Sequence, residues 1–151
     1  GRGFSLVEGH PNVFEPGKRT MHTLNAYAIG KDGEIHLVGG TPGGDQQPQW
    51  NMQVITNMID YGMDVQAAVE APRWISFPGT DPINIDNEFV VRAESRISAE
   101  ALDGLRQRGH RIEVLPPFGA GGSMFVISRD PATGVLQGGA DPRSEGLALG
   151  I

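Results

Sequence analysis

Residues 39–44 read Gly-Gly-Thr-Pro-Gly-Gly and stand between a β-prone run ending at Val38 and an amphipathic run centred on Trp50, Val54 and Met58. Pro42 does not continue a strand and the glycines favour a turn, so the chain passes from strand to helix here. The N-terminus of a helix exposes unpaired N–H groups and partial positive charge, and glycines let another molecule come close to them. The stretch suits something negative, either a bound anion or a charge that arises during a reaction. It lacks the Gly-Lys-Ser/Thr end of a phosphate loop, and Thr41 and Pro42 break a Gly-x-Gly-x-x-Gly pattern. Two readings stand: a purely structural turn, or an oxyanion hole in which Gly43 and Gly44 present bare backbone N–H groups to a developing O⁻.

The rest of the chain is cut into short elements. Residues 1–19 hold few apolar side chains and include Pro11, Pro16 and Gly17, which predicts an extended lead-in. Two β-prone runs, Thr23 to Ile29 and Ile35 to Gly39, flank Lys31-Asp32-Gly33 and predict an antiparallel hairpin. Trp50, Val54, Ile55, Met58 and Ile59 recur at helical spacing up to Gly62, with Trp50, Met52 and Met58 expected in the core. A short helix follows, capped by Asp64 and stopped by Pro72. Then come the strand "RWISF", a hairpin pair in "INIDNEFVVRAE", and a helix with Ser98 at its N-cap, Glu100 in its first turn and Gly109 past its end. Three more strands close the chain, with a turn at Asp130 to Gly134. Strands joined by hairpin turns on either side of helices predict an α+β fold, a largely antiparallel sheet covered by helices.

With 151 residues and 38% hydrophobic composition the chain suffices for one domain, and no repeat or linker divides it. Its 12 basic and 18 acidic residues give a formal charge of −6 with no Lys/Arg cluster, which argues against nucleic acid as a partner. Zero cysteines exclude disulfides, thiolate metal sites and a cysteine nucleophile. The four histidines, His10, His22, His36 and His110, form no metal-ligand spacing, so neither metal nor organic cofactor is expected. No run approaches the roughly 20 apolar residues of a membrane span, and no compartment is named by the sequence. His22 and Thr23 sit in the polar segment "RTMHTLN", which reads either as a strand edge or as a substrate contact. Arg143, in "GADPRSEG", either binds a carboxylate or ties the tail to a neighbouring loop.

Taken in order, "EPGKRTMHTLNAYAI", "GGTPGG", "MQVITNMIDYGMDVQAAVEAPRW", "GAGGSMFVI" and "GADPRSEG" resemble the small-subunit region of the γ-glutamyltranspeptidase family over nearly the whole chain. The resemblance implies an N-terminal-nucleophile hydrolase fold, an αββα sandwich built from two subunits cut from one precursor. Residues 1–151 then correspond to the C-terminal portion of the small subunit, with the upstream segment and the large subunit as partners. It implies a threonine nucleophile, freed by self-cleavage upstream of Gly1, that attacks a γ-glutamyl amide and passes the acyl group to water or an amine. It assigns Gly43 and Gly44 to the oxyanion hole and His22 and Thr23 to the place where many relatives hold the substrate α-carboxylate with a serine pair. Two other readings stay open: a related amidase or acylase on non-glutamyl groups, motivated by His22-Thr23, and a non-catalytic anion-binding module using the glycine loop and Arg143.

Overall fold

The computed structural model describes residues 5–19, 24–78 and 88–150. Residues 5–19 make turns and one isolated bridge, Ser5 to Val13, with Leu6 and Phe14 exposed. After them, in chain order, come β1 (Tyr27–Lys31), β2 (Glu34–Gly40), a 3-10 turn (Gly44–Gln46), α1 (Gln47–Ile59), α2 (Val65–Glu70), β3 (Trp74–Phe77), β4 (Val90–Glu94), α3 (Ala99–Gln107), β5 (Ile112–Leu115), β6 (Phe125–Arg129) and β7 (Leu136–Ala140). They form two sheets, one ordered β1-β2-β6-β7 and one ordered β3-β4-β5.

Local signals decide most boundaries. Asp32 and Gly33 take positive φ, 54° and 83°, as a two-residue hairpin turn requires, and Lys31 pairs with Glu34 across it. The Asp64 carboxylate accepts from the Ala67 N–H at 2.8 Å, and the Ser98 hydroxyl accepts from the Ala101 N–H at 3.2 Å, so both predicted caps form. Asp130 accepts from the N–H groups of Ala132 and Thr133 and so shapes the turn between β6 and β7.

Most of the first arm of the hairpin expected in "INIDNEFVVRAE" lies outside the described residues, and its second arm, β4, pairs antiparallel with β3. The sheets are largely antiparallel as expected; β4 and β5 pair in parallel, because α3 crosses over between them. One expectation needs correction. Met52 is 48% exposed, since the buried stripe of α1 runs through Trp50 and Val54 toward Met58, and position 52 falls on the far side of the helix.

The four-stranded sheet buries Leu37 and Val126 against Trp50 and Val54 of α1 and Val65, Ala68 and Val69 of α2, with Ile75 and Met124 completing the cluster. Gly139 lets α2 lie close on β7, where any Cβ would fall 2.8 Å from Val65. On the opposite face Val38, Phe125 and Ile127 remain exposed. The free edge of β3 is satisfied by side chains. Gln53 accepts from the Trp74 N–H at 3.1 Å and donates to the Trp74 carbonyl at 2.9 Å, while Gln49 accepts from the Ser76 N–H at 2.7 Å and donates to the Ser76 carbonyl at 3.3 Å. One helical turn, about 5.4–6 Å, nearly matches two strand residues, about 6.6 Å, so glutamines four apart on α1 meet strand residues two apart and stand in for a neighbouring strand.

Removing the α2 cap tests how much this local chemistry contributes. Asp64→Ala in the full-length protein is expected to lower unfolding stability by about 1 kcal/mol without changing the denaturant slope. An unchanged midpoint would mean that packing on β7 alone holds α2.

Candidate active site

The glycine loop links β2 to α1. Thr41 is buried and anchors it: its Oγ1 accepts from the Ser123 N–H at 2.9 Å and its hydroxyl donates to the Pro42 carbonyl at 2.9 Å. Gly43 has φ 149° and Gly44 has φ 54°, and the Gly43 carbonyl accepts from the Gln46 N–H at 3.2 Å to start the 3-10 turn. Among the described residues neither the Gly43 nor the Gly44 N–H has a hydrogen-bond partner, as expected at a helix start.

The two glycines are bare for different reasons. A methyl group on Gly43 would collide with Trp50 Cζ3 and lie 3.1 Å from Cε3. A methyl group on Gly44 would meet nothing within 4 Å, so its Cα faces open space. Gly43 is required by packing, whereas Gly44 leaves room for a visiting molecule. His22 and Thr23, the other predicted site residues, lie outside the described residues.

Beneath this loop lies a group of buried charges that sequence reasoning did not assemble. Arg143 uses all five guanidinium N–H groups. Nε donates to Glu94 Oε1 at 2.6 Å, NH1 donates to the Val69 carbonyl and to Asp141 Oδ1, each at 3.0 Å, and NH2 donates to Glu94 Oε2 at 2.8 Å and the Ala71 carbonyl at 2.9 Å. Arg143 therefore ties the tail to its neighbours and has no donor left for a ligand, which removes one support of the anion-binding-module reading. Arg73 forms an ion pair with Asp141 and also donates to the carbonyls of Val69 at 2.9 Å and Gly121 at 3.2 Å. Arg96 donates to Glu94 Oε2 at 2.9 Å and lies over the Phe118 ring.

The carboxylates in turn hold the 120–124 loop. Glu94 accepts from the Ala120 N–H at 3.2 Å and Asp141 from the Met124 N–H at 3.0 Å. Burial alone would raise the Glu94 carboxyl, but hydrogen bonds and charge from Arg143, with help from Ala120 and Arg96, hold it below its ordinary value. Burial pulls the Arg73 guanidinium down, against the attraction of Asp141. Burial would also lower Arg143, yet Glu94 and Asp141 hold it above its ordinary value. The sequence signal for this cluster was charge at strand ends, Arg73 before β3 and Glu94 at the end of β4, beside Asp141 and Arg143 in one turn. Among the described residues no group of His, Asp and Glu is arranged to hold a metal ion.

Solved structures define the fold class. The chain superposes on cephalosporin acylase from Bacillus halodurans with a TM-score of 0.81 at 40% identity, covering 97% of this chain and 26% of that one. Its α+β architecture is thus that of the N-terminal-nucleophile hydrolases. The chain belongs to the γ-glutamyltranspeptidase family, whose family model, described as gamma-glutamyltranspeptidase, matches residues 2–151. It is 38% identical to a glutathione hydrolase-like proenzyme of Bacillus subtilis, over 100% of this chain and 28% of the relative, and 38% identical to the oxamate amidohydrolase proenzyme of Klebsiella pneumoniae, over 99% and 28%. The chain therefore spans little more than a quarter of the length of these curated relatives.

Glu94 sets an acid limit on stability. Its folded pKa is depressed, so its contribution is fully present above the unfolded glutamate value of about 4.3 and is lost as pH falls from there through the lower folded value. Glu94→Gln in the full-length protein is expected to cost about 3–5 kcal/mol at neutral pH, because Arg143 loses the carboxylate that grips it bidentately and keeps only Asp141, and to flatten the acid limb of stability against pH. An acid limb unchanged by Glu94→Gln would assign it to other carboxylates.

Proposed function

We propose that this chain supplies the oxyanion hole of a γ-glutamyltranspeptidase-like enzyme that cleaves an amide through an acyl-enzyme. The observation that carries this reading is the Gly43–Gly44 turn at the head of α1, with both N–H groups unpartnered among the described residues and Gly44 facing open space. A hydroxyl nucleophile adds to the amide carbon. As the new C–O bond forms, the C=O π bond opens and its electron pair moves onto the carbonyl oxygen, and the Gly43 and Gly44 N–H groups donate to that oxyanion. The C–N bond then breaks, the amine leaves with the proton taken from the hydroxyl, and water or a second amine removes the acyl group. No step calls for a metal or organic cofactor.

On this reading Thr23 donates its hydroxyl to the α-carboxylate of a γ-glutamyl substrate, with His22 beside it in place of a serine. The upstream segment and large subunit of the same precursor cover the apolar sheet face of Val38, Phe125 and Ile127, a role supported by its exposure and by the proenzyme character of the relatives. A second reading, an amidase on non-glutamyl acyl groups, has support from the oxamate amidohydrolase and cephalosporin acylase relatives. Turnover of a γ-glutamyl anilide against a plain acyl anilide by the full-length processed enzyme separates the two readings.

Gly44→Ala is the direct test of the turn. The added methyl meets no protein atom, so the variant is expected to fold, with about 1–2 kcal/mol of backbone strain at φ 54°. Its kcat should fall by roughly 10²–10³ while KM changes little. A folded variant with unchanged kcat would return the loop to a packing role.

A further inference from the structure

The indole of Trp50 is 4% exposed, yet much of its ring surface is spent on glycines. Gly43 approaches Cζ3 more closely than any residue with a Cβ is able to. Gly122 packs on the ring from the 120–124 loop, where a Cβ would fall a tight 3.0 Å from Cε3 and 3.2 Å from Cζ3, and Gly121 lies near Cη2 and Cζ2 with its virtual Cβ at 3.7 Å. All three glycines have φ in the left-handed region, 149°, 73° and 85° for Gly43, Gly121 and Gly122. Every one of these contacts is to the six-membered part of the indole. Nε1 is buried and has no hydrogen-bond partner among the described residues, so these hold the ring by shape and packing.

Gly122 touches a second group. Its virtual Cβ lies 2.9 Å from Arg73 NH1, and Arg73 also holds the Gly121 carbonyl. One continuous path of contact therefore runs from the buried charges through Arg73 and Gly122 to Trp50, and from Trp50 to Gly43. A glycine turn has the largest conformational freedom of any backbone, whereas an oxyanion hole works only if its donors are fixed before the charge develops. A rigid aromatic wedge resolves that conflict.

We infer that Trp50 is a positioning residue for the acyl-transfer reaction: its ring fixes where the Gly43 and Gly44 N–H groups point, and Gly121, Gly122 and Arg73 fix the ring. This inference rests on the oxyanion reading of the two glycines. Trp50 touches neither substrate nor nucleophile in this account. Its loss should act on the transition state, because a displacement of about 1 Å in a catalytic group costs on the order of 10²-fold in rate.

The test uses full-length processed enzyme carrying Trp50→Leu, Trp50→Phe or Gly44→Ala. Three quantities are read: kcat, KM for an amide substrate, and the dissociation constant of a boronic-acid analogue of the acyl group. The boronate forms a tetrahedral adduct with the hydroxyl nucleophile and places an oxygen where the oxyanion would lie. Trp50→Leu should lower kcat roughly 10- to 100-fold and weaken the boronate by a similar factor, with KM within about threefold of wild type, and Trp50→Phe should fall between the two. If Trp50→Leu leaves kcat and boronate affinity at wild-type values while Gly44→Ala lowers both, Trp50 only fills space and the oxyanion reading survives without it. If Gly44→Ala changes neither, the oxyanion reading falls and takes this inference with it. Should Trp50→Leu fail to fold or mature, Trp50→Phe decides: an intermediate loss in both readouts supports the inference, and wild-type values overturn it.

Discussion

Two carboxylates without access to water, Glu94 and Asp141, constrain more of this chain than any apolar contact does. An unpaired buried carboxylate costs several kcal/mol, so each must keep its cations wherever the fold places it. Glu94 ends β4 and is gripped by the fork of Arg143, while Asp141 follows β7 and is gripped by Arg73 at the start of β3. The same arginines donate to the carbonyls of Val69 and Ala71 at the end of α2. The cluster thus joins both sheets and α2 at one point. A bidentate guanidinium–carboxylate pair is directional, so the connection fixes orientation as well as distance.

From that point order passes outward to the glycine loop. The carboxylates hold the N–H groups of Ala120 and Met124, which sets the path of Gly121 and Gly122 around Trp50. From the other side, Gln49 and Gln53 bind the edge of β3 and fix the helix that carries Trp50. The strand-to-helix turn is therefore held at its base by rigid groups, although its own residues are the most flexible available. Electrostatic stabilisation of a transient charge needs this combination, with donors fixed in place and an approach left open.

The elements decided within four or five residues were legible in the sequence. Asp32-Gly33, the caps Asp64 and Ser98, and the helix stops at Gly62 and Gly109 each follow from one residue's preferred backbone or one short hydrogen bond. The Gly43–Gly44 turn was legible for the same reason, though only the folded structure separates a glycine kept bare for Trp50 from one kept bare toward open space. The buried cluster was not legible, because its pairs join residues 49 and 68 positions apart and each charge alone looks like a polar strand end. Arg143 stands out in the sequence, and the occupation of all five of its donors decides between its two readings. The parallel pairing of β4 with β5 depends on which sheet the chain rejoins after α3, which periodicity does not encode. The glutamine ladder along β3 is not legible in the sequence, because polar helix residues ordinarily face solvent.

The claim on which the rest depends is that the buried charges act as one coupled unit, and a double-mutant cycle on its strongest fork measures this directly. Glu94→Leu, Arg143→Leu and the double variant are made in the full-length protein, and unfolding free energy is read by denaturant titration at neutral pH. A coupled unit predicts that the double variant is more stable than the sum of the single losses implies, by about 2 kcal/mol or more, because each single change takes from a buried charge its bidentate partner, whereas the double change removes both charges. Losses that add to within about 0.5 kcal/mol would show that each charge is neutralised by its other partner, Arg96 or Asp141, and that the glycine loop is held by something else.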